Sequence, residues 1–358
     1  MRLLFIEDEP SSVESAINRM KRGGHDCTVS GFPQAERNIS AMKPDMVILD
    51  LLEGGPTPEP EVSGREVYDF IWRNRFCPIV VYSAQPDALT ADQHPFVKRV
   101  QKGSGSDVRL ESVVGELRPH VDALKDAETK IYREFTLALR EVAPLAFKVF
   151  KNPIERNDAI LRSGRRRLAA LMDDLSRYGQ TLTSWEQYLC PPINVNIQLG
   201  DVIHERGRDH DAPETFRIVL TPSCDLVASG GREPKVSNVL VARCYGLREG
   251  LRLTSLGDAS PKTLEGRLPS ILTHGYFETI MFFPKFEGKI PHMAVSLRIL
   301  ELVPLDQIGI NTCKFERIAS IDSPFRELVA WAYLQVSCRP GLPDRNFKEW
   351  TKEIITSC

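Results

Sequence analysis

The chain has 358 residues, which is long enough for two or three domains that each bury a core of their own. The hydrophobic fraction of 42% is ordinary for a globular protein, and the formal net charge of -2 gives no electrostatic reason to expect a nucleic-acid or membrane partner. No apolar run approaches the roughly 20 residues of a membrane span. The eight cysteines contain no C-x-x-C pair, so we expect a cytoplasmic protein with reduced thiols.

The first part of the chain alternates strand and helix patterns, which predicts a doubly wound α/β domain. Two apolar runs, residues 3–6 and 46–49, are typical of strands buried on both faces of a parallel sheet. Acidic residues follow each run: Glu7 and Asp8 after the first, and Asp50 after the second. Ligand sites of such sheets lie beyond the carboxyl ends of the strands, so these negative charges should meet there. A hard divalent ion with oxygen ligands, Mg²⁺, would offset them.

Residues 78–84 and 96–102 are predicted to be the fourth and fifth strands, and they bring Ser83 and Lys102 to the same edge. The set Glu7, Asp8, Asp50, Ser83 and Lys102 resembles the receiver domain of two-component response regulators, over residues 1–118. The resemblance implies a flavodoxin-like fold in which the acidic pair and Asp50 hold Mg²⁺. It further implies that Asp50 accepts a phosphoryl group from a histidine kinase, that Ser83 senses this group and that Lys102 contacts it.

Three features depart from the receiver pattern. The loop from Asp50 to Gly64 is longer than usual, and we interpret it as a solvated flap in which Glu53 could lie near the metal. Arg99 stands where many receivers carry a switch aromatic, and Gly103 stands where the family usually has a proline. The sequence therefore supports phosphorylation of Asp50 better than it supports the conformational switch that most receivers use, in which an aromatic residue moves.

Residues 119–189 are predicted to form a helical stalk. From Leu110 onward apolar residues recur at alternating steps of three and four, which is typical of a helix seam that faces another helix. We expect Pro119 to open a new helix and Pro144 to break it, with a second helix from about residue 157 to 178. Two interpretations stay open: a coiled-coil stalk that forms a homodimer, and a hairpin that packs on its own neighbours.

Residues 190–358 have a β-rich pattern and are predicted to form an α+β output or interaction module. Strands are expected at 194–199, 200–203, 216–221, 238–243, 279–283 and 292–297, with a helix over 323–336. Residues 198–244 resemble the small SH3-like barrels of the PemK/MazF toxin class, but no ribonuclease activity is carried over from that resemblance.

Cys224 and Asp225 at a strand end are the one chemical candidate in this module. Together with a histidine such as His204, His210 or His274, or with Cys244, they would bind a metal or supply a thiol nucleophile. The alternative is a small thiol beside an aspartate that closes a strand.

The leading hypothesis is a response regulator whose receiver controls a C-terminal module that does not bind DNA. One alternative is a phosphate-accepting buffer that docks on the kinase and competes with another regulator. A second is a hydrolase or nuclease in the C-terminal module under receiver control.

Overall fold

The computed structural model describes residues 1–52, 63–89, 94–172, 181–228, 233–309, 313–338 and 345–357. The chain divides into two compact units, Met1–Gly179 and Gln180–Cys358. Among the described residues, no helix has both the length and the apolar character needed to cross a membrane.

The first unit contains a five-stranded parallel sheet with the order β2-β1-β3-β4-β5. This is a doubly wound order of the flavodoxin type, and it confirms the predicted fold class. All four residues of β3 and all five of β4 are buried, as expected for central strands covered on both faces. The strands are β1 (Arg2–Ile6), β2 (Asp26–Ser30), β3 (Met46–Leu49), β4 (Ile79–Ser83) and β5 (Val97–Gln101).

Helices cover both faces of this sheet. Alternate strand residues point to opposite faces, so Leu4 and Leu49 belong to one apolar cluster and Phe5 and Ile48 to the other. The second and third helices line the first cluster, and the first and fourth helices line the second. The helices of the unit are α1 (Glu14–Arg22), α2 (Ala35–Met42), α3 (Ser63–Asn74), α4 (Ser106–Val149) and α5 (Pro153–Met172).

The predicted helix boundaries at Pro119 and Pro144 are wrong, because α4 runs through both prolines. An interior proline costs about 3 kcal/mol, since it removes one hydrogen bond and crowds the preceding turn. Leu117 and Val121, one on each side of Pro119, are fully buried in the core of the unit. Burying two such side chains stabilises the helix by about 1.5–3 kcal/mol each, which outweighs the cost at Pro119.

An ion-pair cluster fixes α4 beyond Pro119. The buried carboxylate of Asp45, which directly precedes β3, accepts hydrogen bonds from the Arg2 backbone N–H and the Lys125 ammonium, both at 2.7 Å. Burial alone would raise the pKa of Asp45, but these hydrogen bonds outweigh it and hold the pKa below its ordinary value of 3.8.

The C-terminal half of α4 packs against α5, as the hairpin interpretation requires. Small buried residues allow the close approach: Ala138 and Ala146 on α4, and Ala159 and Gly164 on α5. A Cβ atom at Gly164 would lie 3.3 Å from Leu139 Cδ2. Apolar side chains nevertheless stay exposed on the hairpin, including Ile131 at 46% exposure, so the homodimer remains a prediction.

The second unit contains a seven-stranded antiparallel sheet with the order β10-β11-β9-β8-β7-β12-β6. Its strands are β6 (Tyr188–Leu189), β7 (Asp201–Glu205), β8 (Phe216–Val219), β9 (Asn238–Tyr245), β10 (Ile280–Phe283), β11 (Met293–Pro304) and β12 (Phe315–Ile321). Its helices are α6 (Ser223–Leu226), α7 (Leu247–Arg252), α8 (Pro261–His274), α9 (Phe325–Ser337) and α10 (Phe347–Ser357).

This architecture confirms a β-rich α+β unit, but the strand expected at 194–199 is wrong. Residues 194–199 form irregular structure, in which Val195 is almost fully exposed. The Arg317 guanidinium binds the carbonyl groups of Asn194 and Val195, so these groups are paired without a strand.

Candidate functional site

The carboxyl ends of β1, β3 and β4 carry the acidic and hydroxyl residues that were expected there. Glu7 follows β1, Asp50 follows β3, and Ser83 is the last residue of β4. All three are buried, with exposures of 3%, 7% and 0%. Because the strands are parallel and adjacent, their ends meet at one edge of the sheet, and this edge holds a concentration of buried polar groups.

Lys102 links the two buried carboxylates. Its ammonium group donates a hydrogen bond to Asp50 Oδ2 at 2.5 Å and another to Glu7 Oε2. Burial would lower the pKa of Lys102, but its hydrogen bonds to Asp50 and Glu7 outweigh this effect and raise the pKa. Burial raises the pKa of Glu7 in spite of the same ion pair. The lysine therefore stays charged and offsets part of the negative charge at the site.

The backbone fixes the orientation of the Asp50 carboxylate. Its Oδ1 atom accepts hydrogen bonds from the N–H groups of Leu51 at 2.7 Å and Leu52 at 3.4 Å. Lys102 holds the other oxygen, Oδ2. Both carboxylate oxygens are thus tethered, one by the backbone and one by an ammonium group that is only 17% exposed. A carboxylate held in this way presents its oxygens in a defined direction.

The acidic residues fit a divalent cation. Carboxylate oxygens of Glu7, Asp8 and Asp50 all lie within 4.8 Å of one another. Asp8 is exposed, whereas Glu7 and Asp50 are buried, so the group opens to solvent on the Asp8 side. A ligand set made only of carboxylate oxygens suits Mg²⁺.

The hydroxyl group of Ser83 is fully buried, and it has no hydrogen-bond partner among the described residues. Such a group costs free energy unless a ligand or water pairs with it. The neighbouring residue is paired: the hydroxyl group of Tyr82 lies 2.6 Å from Ser106 Oγ, and this hydrogen bond is buried. Ser106 is the first residue of α4, so the site edge is connected directly to that helix.

Gly64 near the start of α3 packs directly on the phosphoacceptor candidate. A Cβ atom there would lie 2.4 Å from the Asp50 carbonyl oxygen and 2.5 Å from Leu51 Cα, so only glycine fits. The expanded loop and Glu53 lie outside the described residues, which omit 53–62. Arg99 is exposed, and its guanidinium donates a 2.9 Å hydrogen bond to the carbonyl of Leu89.

The Cys224 candidate finds no catalytic partners in the described part of the second unit. The exposed Cys224 thiol contacts Asp225 at 3.6 Å, and Asp225 in turn pairs with Lys235 at 2.6 Å. Cys244 lies in the core, where burial raises the pKa of its thiol. His274 packs against Tyr276 and Trp331. Cys224 belongs to neither of the potential metal-ligand groups of the described chain.

Comparison with known proteins gives structural similarity alone. No protein-family model and no curated protein matches the sequence. Among solved structures, the N-terminal domain of a response regulator/sensory box/GGDEF 3-domain protein from Carboxydothermus hydrogenoformans is 17% identical. This similarity covers 35% of this chain and 99% of that one, with a TM-score of 0.28.

Two further structures show similarity of the same extent. The response regulator TrrA from Thermotoga maritima, in complex with Mg²⁺-BeF, is 22% identical over 32% of this chain and 98% of its own, with a TM-score of 0.27. The BeF3-activated receiver domain of Klebsiella pneumoniae RstA is 21% identical over 33% of this chain and 99% of its own, with a TM-score of 0.26. Similarity at this level does not assign an activity to the chain.

Proposed function

We propose that the protein is a response regulator in which Asp50 accepts a phosphoryl group from a histidine kinase and thereby controls the second unit. The observation that carries this proposal is the tethered Asp50 carboxylate, bound by Lys102 and grouped with Glu7 and Asp8 at the sheet edge. A carboxylate is a weak nucleophile, so phosphoryl transfer to it depends on positioning and on charges that stabilise the phosphoryl oxygens. This edge supplies both.

In the transfer step, a carboxylate oxygen of Asp50 attacks phosphorus, and the bond from phosphorus to the kinase imidazole breaks. The imidazole leaves with the electron pair of that bond, and Asp50 becomes an acyl phosphate. Lys102 and the hydroxyl group of Ser83 pair with phosphoryl oxygens as charge shifts onto them. Glu7, Asp8 and Asp50 would hold Mg²⁺, which supplies positive charge next to the same oxygens.

The signal would travel from Ser83 to α4 through Tyr82. A phosphoryl group draws the Ser83 hydroxyl toward it, and the adjacent Tyr82 is hydrogen-bonded to Ser106 at the start of α4. Because α4 is continuous to Val149, a shift at Ser106 reaches the α4–α5 hairpin. Arg99 takes no part as a buried switch, because its exposed guanidinium binds the Leu89 carbonyl and burying a charged side chain costs several kcal/mol.

The acceptor is tested by incubating the full chain with acetyl phosphate and Mg²⁺ and measuring incorporation by intact mass. Wild type should gain one phosphoryl group, and Asp50→Asn should gain none. The control variant Asp26→Asn removes an exposed carboxylate at the amino end of β2, whereas Asp50 lies at the carboxyl ends of the strands. This variant should be labelled as wild type is. Asp8→Ala should reduce the Mg²⁺-dependent labelling. Undiminished labelling of Asp50→Asn would refute the assignment.

The coupling is tested by hydrogen exchange with and without beryllofluoride. Altered protection is expected across residues 104–124, and Arg99→Ala should retain it. Tyr82→Phe should still be phosphorylated but should lose most of the change in α4, because its link to Ser106 is gone. A response confined to the loops around Asp50, Ser83 and Lys102 would favour the phosphate buffer.

A further inference from the structure

A second group of potential metal ligands lies within the second unit, away from the Cys224 candidate. It consists of His204 on β7, His210 in the connection after β7, and Glu316 on β12. β7 and β12 are antiparallel partners, and His204 and Glu316 stand directly opposite each other in the ladder. Ligand atoms of all three residues lie within 4.8 Å of one another. The fold, and not chain proximity, brings Glu316 to the two histidines.

Backbone carbonyl groups fix the protonation of both imidazoles. His204 Nε2 lies 3.4 Å from the Asp209 carbonyl oxygen, and His210 Nδ1 lies 3.3 Å from the Lys289 carbonyl oxygen. A carbonyl oxygen only accepts hydrogen bonds, so these two nitrogens carry the ring protons. In the neutral imidazoles, His204 Nδ1 and His210 Nε2 are then left as lone-pair acceptors.

Both acceptor nitrogens face the same carboxylate oxygen. Glu316 Oε1 lies 3.4 Å from His204 Nδ1 and 3.8 Å from His210 Nε2. The two imidazole rings are stacked, with their centroids 4.0 Å apart. The other carboxylate oxygen, Oε2, is 3.2 Å from the Arg206 guanidinium. When both rings are neutral, three acceptors therefore converge, and such a group is stabilised by a bound cation or by an added proton.

We propose that His204, His210 and Glu316 form a binding site for a divalent transition-metal ion of the Zn²⁺ class. Two imidazole nitrogens and one carboxylate are a ligand set that zinc uses, and imidazole favours Zn²⁺ over Mg²⁺. Metal-bound histidines commonly donate their other ring N–H to a carbonyl or carboxylate, as both histidines do here.

This site differs in chemistry and position from the carboxylate group around Asp50. That group offers only oxygen ligands and belongs to the first unit. Three protein ligands also leave a coordination position for water or a substrate, which is typical of catalytic zinc. The proposal does not depend on the function assigned to Asp50.

The test is Zn²⁺ titration of the chelator-stripped full chain by calorimetry in excess Mg²⁺, with Co²⁺ as a spectroscopic probe. Wild type should bind one Zn²⁺ and give a Co²⁺ absorption band in the visible range. His210→Ala and Glu316→Gln alter partly exposed side chains. Loss of a residue that only hydrogen-bonds to a metal ligand weakens metal binding by roughly 10–100-fold, so loss of a direct ligand in either variant should weaken Zn²⁺ binding by more than this. Circular dichroism checks that both variants fold.

Two controls separate this site from others. His274→Ala removes an exposed imidazole of the same unit, and Asp50→Asn alters the carboxylate site; both should bind Zn²⁺ as wild type does. Wild type that binds no Zn²⁺ would show that a proton holds the cluster, and would overturn the proposal. Unchanged affinity in both His210→Ala and Glu316→Gln would overturn it as well.

Discussion

Ser83→Ala should stabilise the protein while impairing phosphorylation. The Ser83 hydroxyl is fully buried without a partner among the described residues, and such a group costs about 1–3 kcal/mol. Removing one oxygen also loses some packing, so we expect a net gain of about 1 kcal/mol. For a unit of this size, that gain raises the midpoint of thermal unfolding by about 2–4 °C.

The same change removes a donor to the phosphoryl group. A hydrogen bond to a charged group contributes about 1.5–3 kcal/mol, which corresponds to a rate of labelling by acetyl phosphate that is roughly 10- to 150-fold slower. The opposite signs of the two effects separate a functional hydroxyl from a structural one.

Ser30→Ala is the matched control. Ser30 is also a buried serine at the end of a strand, but its hydroxyl accepts a 2.8 Å hydrogen bond from Asn38 and donates one to the Gly31 carbonyl. This variant should lose about 1 kcal/mol of stability and label at a near wild-type rate. Calorimetry and time courses of labelling on the full chain provide both readouts. The reasoning fails if Ser83→Ala is destabilised as Ser30→Ala is, or labels at the wild-type rate.

Three further predictions concern stability and assembly. Gly64→Ala should lower the free energy of unfolding by about 3 kcal/mol and reduce labelling, because the new Cβ atom would overlap backbone atoms. The control Gly115→Ala, whose Cβ would meet nothing within 4 Å, should raise the free energy of unfolding by about 0.5–1 kcal/mol. Urea unfolding measures both. Asp45→Asn should lower the free energy of unfolding by about 2 kcal/mol at neutral pH. Because the folded-state pKa of Asp45 is depressed, the ionised carboxylate contributes its full stability above pH 3.8, and this contribution is lost as the pH falls through the folded-state pKa. A stability difference between wild type and Asp45→Asn that stays constant into acid would contradict the assignment. Ile131→Asp should convert a dimer into a monomer in light scattering while Lys130→Asp should not, and a monomeric wild type would rule out the dimer.

The site edge could be predicted because parallel strands fix where their ends meet. Glu7, Asp50 and Ser83 follow or end apolar runs that only a buried strand explains, so their proximity follows from the sheet. The link from Lys102 to both carboxylates depends on side-chain reach, which the sequence pattern does not contain. The same is true of the hydrogen bond between Tyr82 and Ser106.

Long-range packing explains what the sequence did not indicate. Local rules place a helix boundary at Pro119, but the burial of Leu117 and Val121 keeps α4 continuous. Glu316 was missed because β12 was not anticipated, and only the pairing of β12 with β7 brings it to His204. A sequence signal did exist: residues 315–321 contain one aromatic residue and two β-branched isoleucines, which are residue types enriched in strands.

The most direct test of the central claim is chemical identification of the phosphorylated residue. Borohydride reduces the acyl phosphate of an aspartate to homoserine and leaves free carboxylates intact. After treatment with acetyl phosphate and Mg²⁺ and then with borohydride, peptide mass spectrometry should find homoserine at position 50. No homoserine should form when either acetyl phosphate or Mg²⁺ is left out. Homoserine at another aspartate, or none in a protein that has gained a phosphoryl group, would contradict the role of Asp50.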